Sequence, residues 1–221
     1  MNGLFITFEG PDGSGKTTQL TRLSERLKAM GLDVVATREP GGTPISDKIR
    51  EIALSPEHPE MADKTEVLLY AASRAQHVHQ VIAPALQRGA IVICDRYIDA
   101  SIAYQGYGLG QLVEEIAAIS RYASGGLQPH RTYLLDVPVE IGMERMLRRA
   151  GNTGSTGLDR IEQKEAEYHK RVREGFMEIA QQNPERVLLI RADRPVEQIA
   201  AEINKDCDRL LQFASSKEDY R

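Results

Sequence analysis

The chain has 221 residues and a formal net charge of −4 at pH 7, a length that suits one α/β domain with an ample core. The acidic balance argues against a general nucleic-acid binder, because no basic surplus is present to neutralise a phosphate backbone. The two cysteines, Cys94 and Cys207, are typical of a reduced protein rather than a disulfide framework. The sequence shows no apolar run of membrane-spanning length and no leader-like segment, so we expect a cytoplasmic protein without membrane or nucleic-acid partners.

The first predicted strand, residues 3–8, runs into a glycine-rich turn and then into a leucine-spaced helix that ends near residue 30. The turn from Gly10 to Thr17 matches the pattern G-x-x-x-x-G-K-[ST] in full. Glycines let the backbone wrap a phosphate chain with its N–H groups pointing inward, and the helix N-terminus adds partial positive charge. Lys16 can reach the outer phosphates, and the Thr17 hydroxyl can ligate Mg²⁺. The stretch predicts a phosphate-binding loop, since a bare strand-to-helix turn needs neither side chain.

The rest of the chain alternates predicted strands and helices. Further strands are predicted at 32–37, 90–94, 131–136 and 187–190, and further helices at 44–54, 62–88, 98–104, 111–123, 139–149, 158–181 and 195–213. Residues 150–157 are small, polar and glycine-rich, which is typical of a mobile loop. The polar tail from about residue 215 is expected to fray. The alternation predicts a single domain over residues 1–221, an α/β fold with a five-stranded parallel sheet and helices on both faces.

Charged side chains follow the predicted strands, at the edge where an open parallel sheet binds its ligands. Arg38 and Glu39 follow the second strand, Asp95 and Arg96 the third, and Asp136 the fourth. A carboxylate after a buried strand is the usual second support of Mg²⁺ beside a phosphate loop. Both aspartates qualify; the adjacent arginine favours Asp95, and Asp136 is interpreted as a cap of the next helix. Because arginine binds phosphate bidentately, the cluster predicts a second anionic ligand beyond a triphosphate.

A second group of arginines borders the glycine-rich loop. Arg145, Arg148 and Arg149 precede the loop, and Arg160 follows it. Cations at the edges of a mobile loop suit a short lid, predicted over about residues 148–160, that closes over the phosphates during transfer.

Taken together, several segments resemble the thymidylate kinase family over about residues 3–200. Beyond the phosphate loop they are Phe8-Glu9-Gly10, Thr37-Arg38-Glu39-Pro40-Gly41-Gly42-Thr43, Ala72-Ser73-Arg74-Ala75-Gln76-His77, Asp95-Arg96-Tyr97, Ala103-Tyr104-Gln105-Gly106 and Leu158-Asp159-Arg160-Ile161-Glu162. The resemblance implies a P-loop fold with a mobile lid and transfer of the γ-phosphoryl group of ATP to dTMP with Mg²⁺, giving dTDP and ADP. It also implies a homodimer. The alternatives are another nucleotide or small-metabolite kinase of the same fold, or a non-catalytic ATP-binding switch.

The resemblance also implies roles for individual residues. Its catalytic set is Lys16, Asp95, Arg96, Arg149 and Glu162. Its ATP-binding set is Gly10, Pro11, Asp12, Gly13, Ser14, Gly15, Lys16, Thr17, Thr18 and Arg148, with Thr17 and Asp95 supporting Mg²⁺. Its dTMP-binding set is Asp12, Arg38, Glu39, Tyr70, Arg74, Arg96, Ser101, Tyr104 and Gln105.

Two departures from the family pattern stand out. Tyr70 occupies a position where the family usually has Phe stacking on thymine, and its ring keeps that role available. Gly13 occupies a position where some members carry arginine, and residues 151–157 contain no basic residue. The charge that acts on the transferring phosphoryl group is therefore expected from Arg148, Arg149 or Arg160.

Overall fold

The computed structural model describes residues 3–152 and 157–216. Within them, one all-parallel sheet has the strand order β2-β3-β1-β4-β5. The strands are β1 Phe5–Glu9, β2 Val34–Arg38, β3 Ile91–Asp95, β4 Arg131–Asp136 and β5 Val187–Arg191. This confirms the predicted α/β fold with a five-stranded parallel sheet.

Helices connect consecutive strands, and a last helix follows β5. They are α1 Lys16–Ala29, α2 Pro44–Leu54, α3 Asp63–His77, α4 Ala83–Gln87, α5 Ile98–Ser101, α6 Val113–Ala123, α7 Val139–Asn152, α8 Ala166–Gln182 and α9 Val196–Ser216. Two π-helical segments interrupt the regular turns: Val78–Ile82 joins α3 to α4, and Ile102–Gly108 continues α5. No helix in the described ranges is long and apolar enough to cross a membrane.

Alternate residues of β1 pack into different hydrophobic clusters. Ile6 and Phe8 pack with Leu23 of α1 and with residues of α9, whereas Phe5 packs with Ile82 and other residues around α4. A strand covered on both faces is the usual state of a central strand in a parallel sheet. The loop that follows β1 is therefore anchored by the most enclosed part of the molecule.

The start of the predicted helix 158–181 is wrong, because α8 begins only at Ala166. Asp159 Oδ1 accepts hydrogen bonds from the backbone N–H groups of Ile161, at 2.9 Å, and Glu162, at 2.8 Å. Such local side-chain bonds compete with helix formation and favour turns. The segment before α8 is consequently a chain of turns that carries polar side chains toward neighbouring elements.

Parts of two sequence predictions lie outside the described residues. Helix α7 continues to Asn152, beyond its predicted end, and the interior of the predicted lid at 153–156 is not among the described residues. Helix α9 includes Ser215 and Ser216, whereas the rest of the predicted tail, 217–221, is likewise outside them.

Candidate active site at the carboxyl edge of the sheet

The predicted phosphate-binding loop joins β1 to α1 and rests against α7. Gly13 has a φ of 75°, and a Cβ placed there would lie 2.3 Å from the carbonyl oxygen of Gly142. A side chain at this position would therefore meet both backbone strain and a backbone clash. This contact explains why the loop carries no arginine here. The nearest basic side chain from α7 is directed at the same point, since Arg145 Nη1 donates to Gly13 O at 3.3 Å.

Lys16 and Thr17 begin α1 and point to opposite partners. Lys16 Nζ donates to the carbonyl oxygens of Gly10, at 3.0 Å, and Pro11, at 2.8 Å. Burial, with the positive charge of Arg96 adding to it, lowers the pKa of Lys16 to about 8. The loop therefore holds the Lys16 ammonium group in place. A bound anion can replace the two carbonyl oxygens as its hydrogen-bond acceptor.

A pair of oxygen ligands lies beside the loop. Thr17 Oγ1 donates to Asp95 Oδ2 at 2.6 Å. No group of three or more His, Cys, Asp or Glu side chains that could hold a metal ion occurs within residues 3–152 and 157–216. Mg²⁺ in nucleotide sites is held by one or two protein oxygens together with substrate phosphates. The hydroxyl–carboxylate pair therefore fits Mg²⁺ bound with a nucleotide, and it does not form a cage by itself.

Asp12, Arg96 and Tyr104 form a closed triangle at the end of the loop. Arg96 Nη2 donates to Asp12 Oδ1 and, at 2.9 Å, to Tyr104 Oη, and Tyr104 Oη donates to Asp12 Oδ2 at 2.7 Å. Arg96 Nη1 also donates to Gly10 O at 3.1 Å. Burial raises the pKa of Asp12, but the charges of Arg96 and Lys16 outweigh burial and hold the pKa below its ordinary value. The triangle is a preorganised set of charges beside the phosphate loop.

Backbone strain at Arg96 is held by the end of β1. Its φ of 68° is a left-handed conformation that is uncommon for a side chain of this size. The Arg96 N–H donates to Phe8 O at 2.9 Å, and the next N–H, that of Tyr97, donates to Glu9 Oε1 at 2.7 Å. Strained residues held in this way are concentrated at functional sites.

A second arginine, Arg74, lies deeper in the protein than Arg96, and its guanidinium group is hydrogen-bonded to several protein groups. Its side chain is 2% exposed, and it donates to Glu39 Oε2 at 2.8 Å, Ser120 Oγ at 3.1 Å, Tyr97 O at 3.0 Å and Ser101 Oγ at 2.9 Å. Four of the five guanidinium N–H donors are thus engaged. The structure brings together three residues of the predicted dTMP-binding set, Glu39, Arg74 and Ser101.

The other oxygen of Glu39 is also taken. Glu39 Oε1 lies 2.9 Å from His77 Nδ1, and His77 Nε2 lies 2.7 Å from Thr37 Oγ1. We call Glu39, Arg74 and His77 the buried brace, because it ties β2 to α3 and to the start of α5.

Arginines near the predicted lid have divergent surroundings. Arg149 pairs with Glu162, and its side chain is 58% exposed, while Arg148 is exposed on α7. Arg160 is buried, and its guanidinium donates to Ala53 O at 2.8 Å and to Glu66 Oε2 at 2.7 Å. Of the three arginines expected to supply charge to the transferring phosphoryl group, Arg160 is therefore already committed to the protein.

The remaining predicted substrate residues spread from the surface to the interior. Arg38 is partly exposed and donates to Asp47 Oδ1 at 2.9 Å, and Tyr70 is half-buried. Gln105 is buried, with its Nε2 donating to Glu66 Oε1 at 2.9 Å. Thr18 is exposed on the first turn of α1.

Asp136 has a different partner from the one inferred from sequence. Its two carboxylate oxygens accept from Arg173 Nε, at 2.7 Å, and Arg173 Nη2, at 2.9 Å. The interpretation of Asp136 as a cap of α7 is not supported by these contacts. A bidentate pair with α8 also leaves Asp95 as the carboxylate beside Thr17.

The sequence patterns did not single out two buried carboxylates, Glu9 and Glu66. Glu9 Oε2 has no hydrogen-bond partner among the described residues, and burial together with the charge of Asp99 raises the pKa of Glu9 to about 8. An acidic residue that ends an otherwise apolar strand is the signal that points to Glu9. Glu66 carries no such signal, because a glutamate on a helix normally faces solvent.

Comparisons with known proteins agree over nearly the whole length. A family model described as thymidylate kinase matches residues 8–203. The chain is similar to thymidylate kinases from Exiguobacterium sibiricum, with 52% identity over 218 residues and 99% of each chain covered, and from Pseudomonas putida, with 47% identity over 211 residues and 96% of each covered. The crystal structure of thymidylate kinase from Ehrlichia chaffeensis matches with a TM-score of 0.75 and 33% identity, covering 94% of this chain and 99% of that one.

Proposed function

The chain belongs to the thymidylate kinase family, as its resemblance predicted, and we propose that it transfers the γ-phosphoryl group of ATP to dTMP, giving ADP and dTDP. The observation that carries this function is the triangle of Asp12, Arg96 and Tyr104 directly beside the phosphate loop. A nucleotide-binding switch needs the loop alone, whereas a kinase needs an acceptor site within reach of it. The triangle supplies cationic and acceptor groups for that second site.

The donor half of the proposed cleft is the loop from Gly10 to Thr17, with Thr18 and Arg148 at its margins. Loop N–H groups and the start of α1 bind the phosphates of ATP, and Lys16 exchanges its carbonyl partners for phosphate oxygens. Thr17 and Asp95 would hold Mg²⁺, which would supply positive charge to the phosphate oxygens. The engagement of both side chains with each other, at 2.6 Å, supports this pairing.

The acceptor half binds dTMP through residues with separate tasks. Arg96 and Arg38 hold the phosphate, and Asp12 accepts a hydrogen bond from the 3′-hydroxyl group. Tyr104 occupies the space beside the 2′ position, so that deoxyribose fits and ribose is crowded. Tyr70 offers a ring face to thymine. The residues that frame the base are Glu39, Arg74, Ser101 and Gln105.

The transfer itself requires positioning and charge rather than a general base. Phosphoryl transfer has a loose transition state with charge spread over the equatorial oxygens, and the attacking dTMP phosphate is already anionic. Arg149 supplies positive charge to the transferring group, and Glu162 orients Arg149 through their ion pair. The buried contacts of Arg160 favour Arg149 over Arg160 for this role.

The assembly and location we propose are a cytoplasmic homodimer. Support comes from large apolar side chains that are exposed on α3 and at the two ends of α6, namely Leu68, Leu112 and Tyr122. Exposed apolar side chains of this size favour protein contacts when they lie together. Sedimentation of the wild type and of Leu68→Glu tests the dimer: a halved mass in the variant supports it, and a monomeric wild type contradicts it.

A coupled assay for ADP release tests the proposed activity. It compares dTMP with dUMP, AMP and shikimate at equal concentrations, with Lys16→Met as the inactive control. The proposal predicts that dTMP gives the highest kcat/KM. A higher value with another acceptor would identify a different kinase of the same fold. Binding of ATP without acceptor-dependent ADP release would identify a non-catalytic switch.

A further inference from the structure

Glu66, on α3, has no place in the roles assigned above, yet it is 1% exposed and joins two separate segments. Its Oε1 accepts from Gln105 Nε2 at 2.9 Å, and its Oε2 accepts from Arg160 Nη2 at 2.7 Å. One partner lies on the π-helical segment Ile102–Gly108, and the other lies among the turns before α8. A buried carboxylate shared by two segments fixes their separation.

Toward the transfer side, the contacts of Glu66 continue to Arg149. Arg160 is further held by its backbone N–H, which donates to Leu54 O at 3.0 Å. The Glu162 N–H donates to Asp159 Oδ1, and Glu162 Oε2 accepts from the Asp159 N–H at 3.2 Å. The same Glu162 carboxylate pairs with Arg149. The turn that presents Glu162 is therefore anchored to α3 through one arginine.

Toward the acceptor side, the contacts lead to Tyr104. Gln105 is its neighbour on the π-helical segment, and Tyr168 of α8 donates to Tyr104 O at 3.3 Å. Tyr104 in turn completes the triangle with Asp12 and Arg96. A shift of this segment would move the tyrosine hydroxyl away from both partners.

We propose that Glu66 is a positioning residue for phosphoryl transfer that sets the Glu162–Arg149 pair and Tyr104 in register with each other. The inference rests on the proposed function. A carboxylate is required because both partners present N–H donors and only a side chain with two acceptor oxygens satisfies both. Its removal should therefore affect the acceptor and the transfer step together, and leave the ATP-binding loop unchanged.

Steady-state kinetics of Glu66→Ala and Glu66→Gln test this inference. Misplacement of reacting groups by about 1 Å can cost about 100-fold in rate, and we expect Glu66→Ala to lower kcat/KM for dTMP by about that factor, through both a lower kcat and a higher KM. The KM for ATP should stay within about twofold. Glu66→Gln should recover about tenfold of the loss, because Gln105 can turn its amide and offer Oε1, which has no partner among the described residues.

Asp206→Asn is the matched control. Asp206 pairs with Arg131 at 3.0 Å, is largely buried, and lies by the amino end of β4, at the opposite edge of the sheet from the site. We expect this variant to unfold at a lower urea concentration and to keep the wild-type kcat and KM. If Glu66→Ala behaves in the same way as this control, Glu66 is only structural and the inference is overturned.

Hydrogen exchange separates this inference from the proposed function. Without substrates, and in the same buffer, the backbone amides of Arg160, Ile161 and Glu162 should exchange faster in Glu66→Ala than in the wild type. The amides of the segment around Tyr104 should also exchange faster. Unchanged exchange at these amides would overturn the inference even in an active kinase. A wild type that fails to phosphorylate dTMP would instead contradict the proposed function, and the exchange result would still decide whether Glu66 links the two segments.

Discussion

Two arginine–carboxylate clusters at the carboxyl edge of the sheet differ in how exposed the arginine side chain is and in how its conformation is held. Arg96 is paired with Asp12, keeps 16% of its side chain exposed and has left-handed backbone. Arg74 is paired with Glu39, is 2% exposed and has four N–H donors bonded to protein atoms. At the edge of the sheet where ligands bind, an arginine thus either braces the fold or binds a ligand. The exposed fraction of its side chain indicates which of the two it does.

The difference has a physical basis. Removal of one partner of the buried brace destabilises the fold, because it leaves an uncompensated group in the interior. The triangle of Asp12, Arg96 and Tyr104 is instead held in a strained arrangement. A bound substrate can replace the hydrogen bonds that these three side chains make with one another. We therefore expect substitutions in the triangle to change chiefly catalysis, and substitutions in the brace to change chiefly stability, with a smaller loss of dTMP binding because Glu39 and Arg74 also frame the base.

The largest expected effect concerns Arg149, an exposed arginine that pairs with Glu162. Arg149→Ala should lower kcat by about 10³-fold, because an arginine that stabilises the transition state of phosphoryl transfer contributes about 10³–10⁵ in rate. The KM for dTMP should change far less. Single-turnover measurements with saturating ATP and dTMP report the effect directly.

Arg22→Ala is the control for Arg149, since Arg22 is a half-exposed arginine that faces Glu197 at 3.7 Å, on α1 and α9. We expect wild-type kinetics from it. An Arg149→Ala enzyme with unchanged turnover would show that accessibility alone does not identify a catalytic arginine, and it would remove Arg149 from the mechanism.

A smaller effect is expected from Tyr104→Phe. Loss of the hydroxyl leaves Asp12 and Arg96 each without one hydrogen bond, and a lost bond to a charged group costs about 1.5–3 kcal/mol. The KM for dTMP should accordingly rise by about tenfold or more. Tyr97→Phe removes another hydroxyl, which donates to Leu127 O at 3.2 Å, and should not alter KM. Equal KM values in the two variants would place the acceptor elsewhere.

The pH dependence of ATP binding is the smallest predicted effect. Lys16 has a pKa lowered to about 8, so it loses its proton as the pH rises through that value and must regain it to bind phosphate. Apparent affinity for ATP should fall by about fivefold between pH 8 and pH 9 and by about tenfold per pH unit above. Lys16→Arg should lack this inflection, because arginine stays protonated. A KM for ATP that is flat to pH 10 in the wild type would contradict the assignment.

Much of the fold could be predicted because its central strands β1, β3 and β4 are buried on both faces. Ile91 to Cys94 is a continuous apolar run, and in a chain that alternates strands with helices such a run is typical of a central parallel strand. The turns at 158–165 were predicted as the start of a long charged helix. Their conformation depends on Asp159 bonding two backbone N–H groups and on Arg160 reaching Ala53 O, and the second contact is tertiary.

The candidate site could be predicted where a sequence motif coincides with the end of a strand. It could not be predicted where the role of a residue depends on whether its side chain is buried. The phosphate loop and the Thr17–Asp95 pair follow from strand ends that meet at one edge. In contrast, the sequence does not distinguish the roles of Arg74, Arg96 and Arg160. Only tertiary packing decides which of these arginines is buried against the protein and which stays accessible to a ligand. The approach of Gly13 to Gly142 is likewise a contact between distant parts of the chain that no local pattern contains.

The most direct test of this division is a paired measurement on Arg96→Lys and Arg74→Lys, which keep the charge and remove the planar fork. Urea unfolding and kcat/KM for dTMP are measured on both. We predict that Arg96→Lys loses about 100-fold in kcat/KM and that its free energy of unfolding falls by about 1 kcal/mol, because the lysine keeps a charge beside Asp12 and loses only hydrogen bonds of the planar fork. Arg74→Lys should lose about 3 kcal/mol of that free energy. A stable, inactive Arg74→Lys enzyme together with an active, unstable Arg96→Lys enzyme would contradict the account.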